Sequence, residues 1–344
     1  MILIQNHAGK RLFTHPARGK CFHRVLSRRR KMKRILLATD GSEHALKASS
    51  YLAHLYQDAS DVEITIIHIS PPVPPIYREE RDDPQIRKIY SAWKKKKEEE
   101  AKRYLYEAMG VLQNEGFQRS HIKAKYAHQV IGVARDILRE ADAGDYDACV
   151  VGKKGLGWFD DMFLGSITSK VLEISEHRPV WLVSGKRWDS RKVLIAMDHT
   201  SQIVQLAGYV GKMLRGLDGI KIKFYHYFAP FGESLIPIEK EKIKEFEKRV
   251  LEKERDRMFQ FFEDAQKLLE GLGFGRKEIS FEIFKGDSLS PKKVSQRILK
   301  EMQTGRHGTL VIGRRGATRA REFRLGSVAW RIATEAQNCA LWVV

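Results

Sequence analysis

Two stretches of the chain share a spacing that suits phosphate binding. One runs Gly152-Lys153-Lys154-Gly155, then nine residues, then Gly165-Ser166. The other runs Gly313-Arg314-Arg315-Gly316, then nine residues, then Gly326-Ser327. A phosphate can approach a backbone closely only where no Cβ intervenes, so glycines line such cradles. Each Gly-Ser pair also opens a helical pattern, at Ile167–Ile174 and Val328–Ala336. A helix start offers free N–H groups and a partial positive charge, which together favour an anion. The hydroxyls of Ser166 and Ser327 suit either of two tasks, capping the helix or binding a phosphate oxygen, and the sequence leaves both open.

Other chemistries lack their residues. There is no His-Glu-x-x-His pair, Cys-x-x-Cys, Gly-x-Ser-x-Gly elbow or Gly-x4-Gly-Lys-Ser/Thr loop. His68 and His226 recur near the ends of two apolar runs and read as hydrogen-bonded structural residues. The six tryptophans, Trp93, Trp158, Trp181, Trp188, Trp330 and Trp342, read as packing. No catalytic or metal-ligating residue is assigned.

The elements that carry these loops repeat along the chain. Arg34-Ile-Leu-Leu-Ala-Thr-Asp40 returns 158 residues later as Lys192-Val-Leu-Ile-Ala-Met-Asp198. Both are continuous apolar runs, as a strand buried on both faces requires. Asp40 and Asp198 end them. Helical patterns follow at Ala45–Tyr56 and Val204–Leu214, with Ser42 and Thr200 as N-caps. Next come strands Glu63–Ile69 and Lys221–Tyr227, then long charged helices at Gln85–Leu112 and Ile238–Leu269. Pro71–Pro75 marks a loop before the first of these, and the Lys94–Glu100 charge block reads as a solvated helix face. Strands His121–Tyr126 and Ile279–Phe284 and helices Val130–Ala141 and Pro291–Met302 follow. Each half closes with two apolar strands, Ala148–Val151 with Val180–Val183 and Thr309–Ile312 with Ala340–Val344. Alternating strands and helices predict an α/β fold, two tandem domains with mainly parallel sheets of five strands each. The domains are expected at 32–185 and 191–344, joined by a linker at Gly185–Ser190.

This constellation resembles the universal stress protein family in its ATP-binding class, taken as two copies over residues 32–344. The likeness rests on Asp40 and Asp198, on His68 and His226, and on both glycine motifs. It implies a doubly wound parallel sheet of order 3-2-1-4-5 in each half. It implies an adenine nucleotide, ATP with or without Mg, as ligand. Asp40 and Asp198 would then contact the adenine–ribose end, and the backbone near Ile69 and Tyr227 would edge the base. Gly152, Gly155, Gly165 and Ser166 would hold ribose and phosphates in the first half, and Gly313, Gly316, Gly326 and Ser327 in the second. The fifth strands, Trp181–Val183 and Leu341–Val343, would pair within one chain, with a homodimer as a further option. Two departures stand out. The Asp-Gly-Ser start becomes Asp198-His199-Thr200, and the second loop is the more basic. Residues 314–325 carry five arginines (Arg314, Arg315, Arg319, Arg321 and Arg324) against Glu322. In residues 153–164, Lys153 and Lys154 are balanced by Asp160 and Asp161. That contrast predicts tighter phosphate binding in the second half, with Arg314 and Arg315 as its agents.

The leading expectation is a nucleotide-binding regulatory or stress-response protein read by a protein partner of unknown identity, with slow ATP hydrolysis at most. The alternatives are a partner-binding module of the same fold without nucleotide, and a nucleic-acid-associated protein. The latter would use residues 1–31, which carry nine of the Lys and Arg residues behind the net charge of +19 and no acid. That segment is read as a disordered tail or an upstream start before Met32, which stands two residues ahead of the first strand, and no helix-turn-helix or stacking signature supports the nucleic-acid alternative. No apolar run reaches the roughly 20 residues of a membrane span. The three cysteines, Cys21, Cys149 and Cys339, match no metal or redox spacing, which fits a reducing cytoplasmic compartment.

Overall fold

The computed structural model describes residues 32–154, 164–176, 178–185, 189–198, 202–229, 240–314 and 325–344. The basic segment 1–31, Gly155, Gly316, His199, Thr200 and the arginines at 315–324 lie outside the described residues.

The first half supplies β1 (Lys33–Ala38), α1 (Glu43–Tyr56), β2 (Val62–Ser70), α2 (Ile76–Glu79), α3 (Pro84–Asn114), β3 (Ile122–His128), α4 (Val133–Ala143), β4 (Ala148–Gly152), α5 (Ser166–Ile174) and β5 (Val180–Val183). The second supplies β6 (Asp189–Met197), α6 (Gln202–Leu214), β7 (Lys221–Phe228), α7 (Lys240–Gly271), β8 (Ile279–Lys285), α8 (Pro291–Thr304), β9 (His307–Ile312), α9 (Ser327–Glu335) and β10 (Ala340–Val343). Local signals place the helix starts. Ser42 accepts the amide of Ala45 at 3.3 Å, and Asp83 accepts those of Gln85 and Ile86 ahead of Pro84 at the first turn of α3. Two boundaries differ from expectation. Helix α4 starts at Val133, because the Asp136 carboxylate takes the amides of Val130, Ile131 and Gly132 as a turn ahead of it. Strand β6 starts at Asp189, inside the expected linker, because Asp189 pairs with His307 ahead of a shift in register before Val193.

All ten strands form one sheet of order β3-β2-β1-β4-β5-β10-β9-β6-β7-β8. Each half thus has the order 3-2-1-4-5, all neighbours within it parallel, and the halves meet where β5 and β10 pair antiparallel. Alternate residues of each strand face opposite layers. Ile35 and Leu37 join a core under α1, α3, α6 and α7, while Leu36 joins one under α4, α5, α8 and α9. Both cores run unbroken through the two halves. Trp181 and Trp342, opposite each other across β5 and β10, are fully buried at their meeting point. Trp330 departs from its reading as packing: it is 37% exposed on α9.

Candidate nucleotide site

In an open α/β sheet, ligands bind beyond the carboxyl ends of the strands, where strand order reverses. In the second half that point lies between β6 and β9, because the chain moves from β6 to β7 on one side and later to β9 on the other. A cavity of about 470 Å³ opens there. It is lined by Asp198, Tyr227, Gly313, Gly326 and Ser327, so five of the six second-half residues expected from sequence come together.

Each is placed by its element. Asp198 follows the last residue of β6, and Gly313 follows the last residue of β9. Tyr227 is on β7, and its hydroxyl donates to the carbonyl of Ser288 at 2.7 Å, fixing the loop that carries Leu289 to the cavity rim. Gly326 is the N-cap of α9 and Ser327 its first residue. A glycine cap has no side chain to accept the first N–H groups of the helix, and the residues that carry them, Ser327, Val328 and Ala329, line the cavity. The serine question is therefore resolved in part: the cap position falls to Gly165 and Gly326, and Ser166 and Ser327 stand exposed one residue inside.

The rest of the lining was not read from sequence. Ala196, Leu206, Leu289, Pro291, Val294 and Ile298 give the cavity an apolar wall, with Gln202 and His226 as polar members. Pro291 at the first turn of α8 was the one available signal for that wall. His226 is buried and held at both ring nitrogens: Nδ1 is 3.2 Å from the carbonyl of Met197 and Nε2 is 3.2 Å from the carboxylate of Glu254. Glu254 also pairs with Arg257. The structural reading of this histidine holds, and His68 matches it, with Nδ1 2.9 Å from the carbonyl of Thr39.

The first half is built differently. Asp40 is exposed two residues past β1 and accepts the amide of Ser42 at 3.0 Å. Ile69 is buried in β2, and Gly152 ends β4. The start of α1 presses on Gly152 so closely that a Cβ there would lie 2.5 Å from the backbone of His44. A cavity of about 430 Å³ lies between α4 and α5, lined by Val133, Ser166, Ile167, Arg135 and Lys170 among others. Val133 and Ser166 stand 161 residues before Val294 and Ser327, so the two cavities occupy related places. Asp40, Ile69, Gly152 and Gly165 do not line this one.

One expectation is overturned. Arg314 does not reach toward a phosphate. It is 8% exposed, and it donates to the carbonyl of Leu172 at 3.1 Å and to the hydroxyl of Ser175, at the end of α5 in the other half. The electronegative end of a helix favours a guanidinium there. Lys153, its counterpart, donates to the carbonyls of Thr334 and Ala336 at 2.8 and 2.7 Å, at the end of α9. Burial pushes the Lys153 ammonium down to about 8. Among the described residues no group of His, Cys, Asp or Glu side chains is placed to hold a metal ion, and no helix is long and apolar enough to cross a membrane.

The fold and the cavity define a class: a tandem, doubly wound α/β protein with a crevice at the strand-order reversal of its second half. Residues 31–184 match the model of the universal stress protein family. That match covers just under half of the chain, and the second half repeats the fold of the first. A universal stress protein from Archaeoglobus fulgidus aligns over 91% of this chain and 96% of its own at 18% identity, with a TM-score of 0.55. A protein of unknown function from Pseudomonas aeruginosa aligns over 92% and 93% at 15% identity, with a TM-score of 0.51. A universal stress protein solved in complex with cAMP aligns over 44% of this chain and 97% of its own at 22% identity, with a TM-score of 0.30. No curated protein matches the chain.

Proposed function

We propose that the chain is a tandem universal-stress-type protein that binds an adenine nucleotide and acts through the conformation this stabilises. Domains at 32–185 and 191–344 would each contribute one site. The observation that carries the reading is the convergence of Asp198, Gly313, Gly326 and Ser327 on one cavity of about 470 Å³. Its apolar wall suits a flat base, since ligand pockets combine an apolar lining with a few placed polar groups. Asp198 is suited to accept ribose hydroxyls, as acidic residues do beside the first strands of nucleotide-binding sheets. The open N–H groups of α9 suit phosphate oxygens. Mg would arrive on the phosphates, since this cation usually binds through phosphates and water with few protein carboxylates. Among the described residues Asp198 is the one carboxylate on the cavity wall, and the ribose takes it on this reading. The purified full chain, released from any ligand by heat, should yield an adenine nucleotide on chromatography. A preparation free of nucleotide that also gives no heat on ATP titration would move the reading to a partner-binding module of the same fold.

A further inference from the structure

The last carbonyls of a helix lack intrahelical partners, and a cation there is favoured by the helix dipole. In this protein two helices of corresponding place, α5 and α9, receive that cation from the opposite half. Lys153 reaches the end of α9 and Arg314 the end of α5, each from the residue that follows the first glycine of its own loop. Both side chains are at least nine-tenths buried. Their backbones are fixed as well, the amide of Lys153 by the carbonyl of Val183 at 2.7 Å and that of Arg314 by the carbonyl of Val344 at 3.0 Å. The carbonyl of Arg314 also accepts the amide of Gly326 at 2.8 Å, so one residue holds both ends of its own loop together.

The consequence is a crossed connection. Helix α9 begins at Ser327, in the second-half site, and its far end grips Lys153, at the root of the first-half loop. Nine helical residues span about 13 Å and move as one rod. Helix α5 makes the reciprocal link from Ser166 to Arg314. We propose that Lys153 and Arg314 are positioning residues that couple the two nucleotide sites, each setting the helix start of the opposite site. Ligand that orders α9 then holds Lys153 and the Gly152 loop in place, so a second ligand meets a prepared site and binding is positively cooperative. This rests on the nucleotide reading above.

The test uses the full chain with one site blocked at a time. Gly165→Glu leaves the second-half site and Gly326→Glu the first, and a carboxylate at either position repels phosphate. Adding Lys153→Met to Gly165→Glu should weaken ATP at the second-half site about tenfold, within the usual range of site coupling. Adding Arg314→Met to Gly326→Glu should do the same at the first. Lys153→Arg should restore affinity, and the unblocked protein should lose cooperativity with Lys153→Met. Effects confined to each residue's own half, or no effect, overturn the proposal. If neither single-site protein binds ATP, the nucleotide reading fails, and amide exchange without ligand decides the coupling. Lys153→Met should then speed exchange about tenfold along all of α9 and leave α5 unchanged; acceleration limited to the last turn of α9 overturns it.

Discussion

The indole rings of Trp181 and Trp342 lie face to face, 3.8 Å between centroids and 4° from parallel. They are register partners on β5 and β10. Their N–H groups cross over: Trp342 donates to the hydroxyl of Tyr51 in the first half at 3.1 Å, and Trp181 to that of Tyr209 in the second at 3.0 Å. A buried indole needs such a partner for its N–H. The pair closes both halves around one core, so the two cannot unfold independently without stranding these groups. Trp342→Ala should cost about 3–5 kcal/mol, as large aromatic truncations in a core do. Denaturant unfolding should remain a single transition by both fluorescence and circular dichroism. Two separated transitions would show that the halves hold separate cores.

Gly152 separates two readings of a glycine. As part of a phosphate cradle it would serve the ligand, but a Cβ there meets the carbonyl carbon and oxygen of His44 at 2.5 Å. Gly152→Ala should therefore destabilise the unliganded protein by about 1–3 kcal/mol, the usual cost of overpacking. At Gly165 the nearest atom to an added Cβ is 3.9 Å away, and Gly165→Ala should cost only the poorer N-cap, about 0.5–1 kcal/mol. Thermal or denaturant unfolding of the two variants checks the contrast.

Much of the fold was legible because its strands are buried on both faces. Runs such as Ile35-Leu36-Leu37 and Val193-Leu194-Ile195 have no polar alternation, and only the middle of a doubly covered sheet accommodates that. The glycine spacing points to the second-half cavity for the same local reason, since Gly313 and Gly326 stand at a strand end and a helix start on its wall. Arg314 was misread because its partners, Leu172 and Ser175, lie some 140 residues away and are backbone and hydroxyl groups with no charge signature. The recurrence of a basic residue after the first glycine of both loops is the available signal, and from sequence alone it is indistinguishable from phosphate charge. Asp189 falls within the linker that the apolar run suggests, whereas its strand is fixed by pairing with His307, a partner far along the chain.

Lys153 gives the protein a pH signature. Its ammonium is pushed from 10.5 down to about 8 by burial. Between those values the unfolded chain binds the proton and the folded one does not, so stability from this group rises with pH across the window. The stability difference between wild type and Lys153→Met should shift in favour of wild type between pH 8 and 10, by about 1 kcal/mol per unit at most. A difference flat with pH would show that Lys153 titrates normally.

On the proposed function, the crevices at the glycine loops hold an adenine nucleotide. The most direct test of this is calorimetric titration of ATP into the full chain, beside Gly165→Glu, Gly326→Glu and the double variant. Two sites in the wild type, one in each single variant and none in the double variant are the predicted result. Equal binding by the wild type and the double variant, or no binding by a folded wild type, would contradict it.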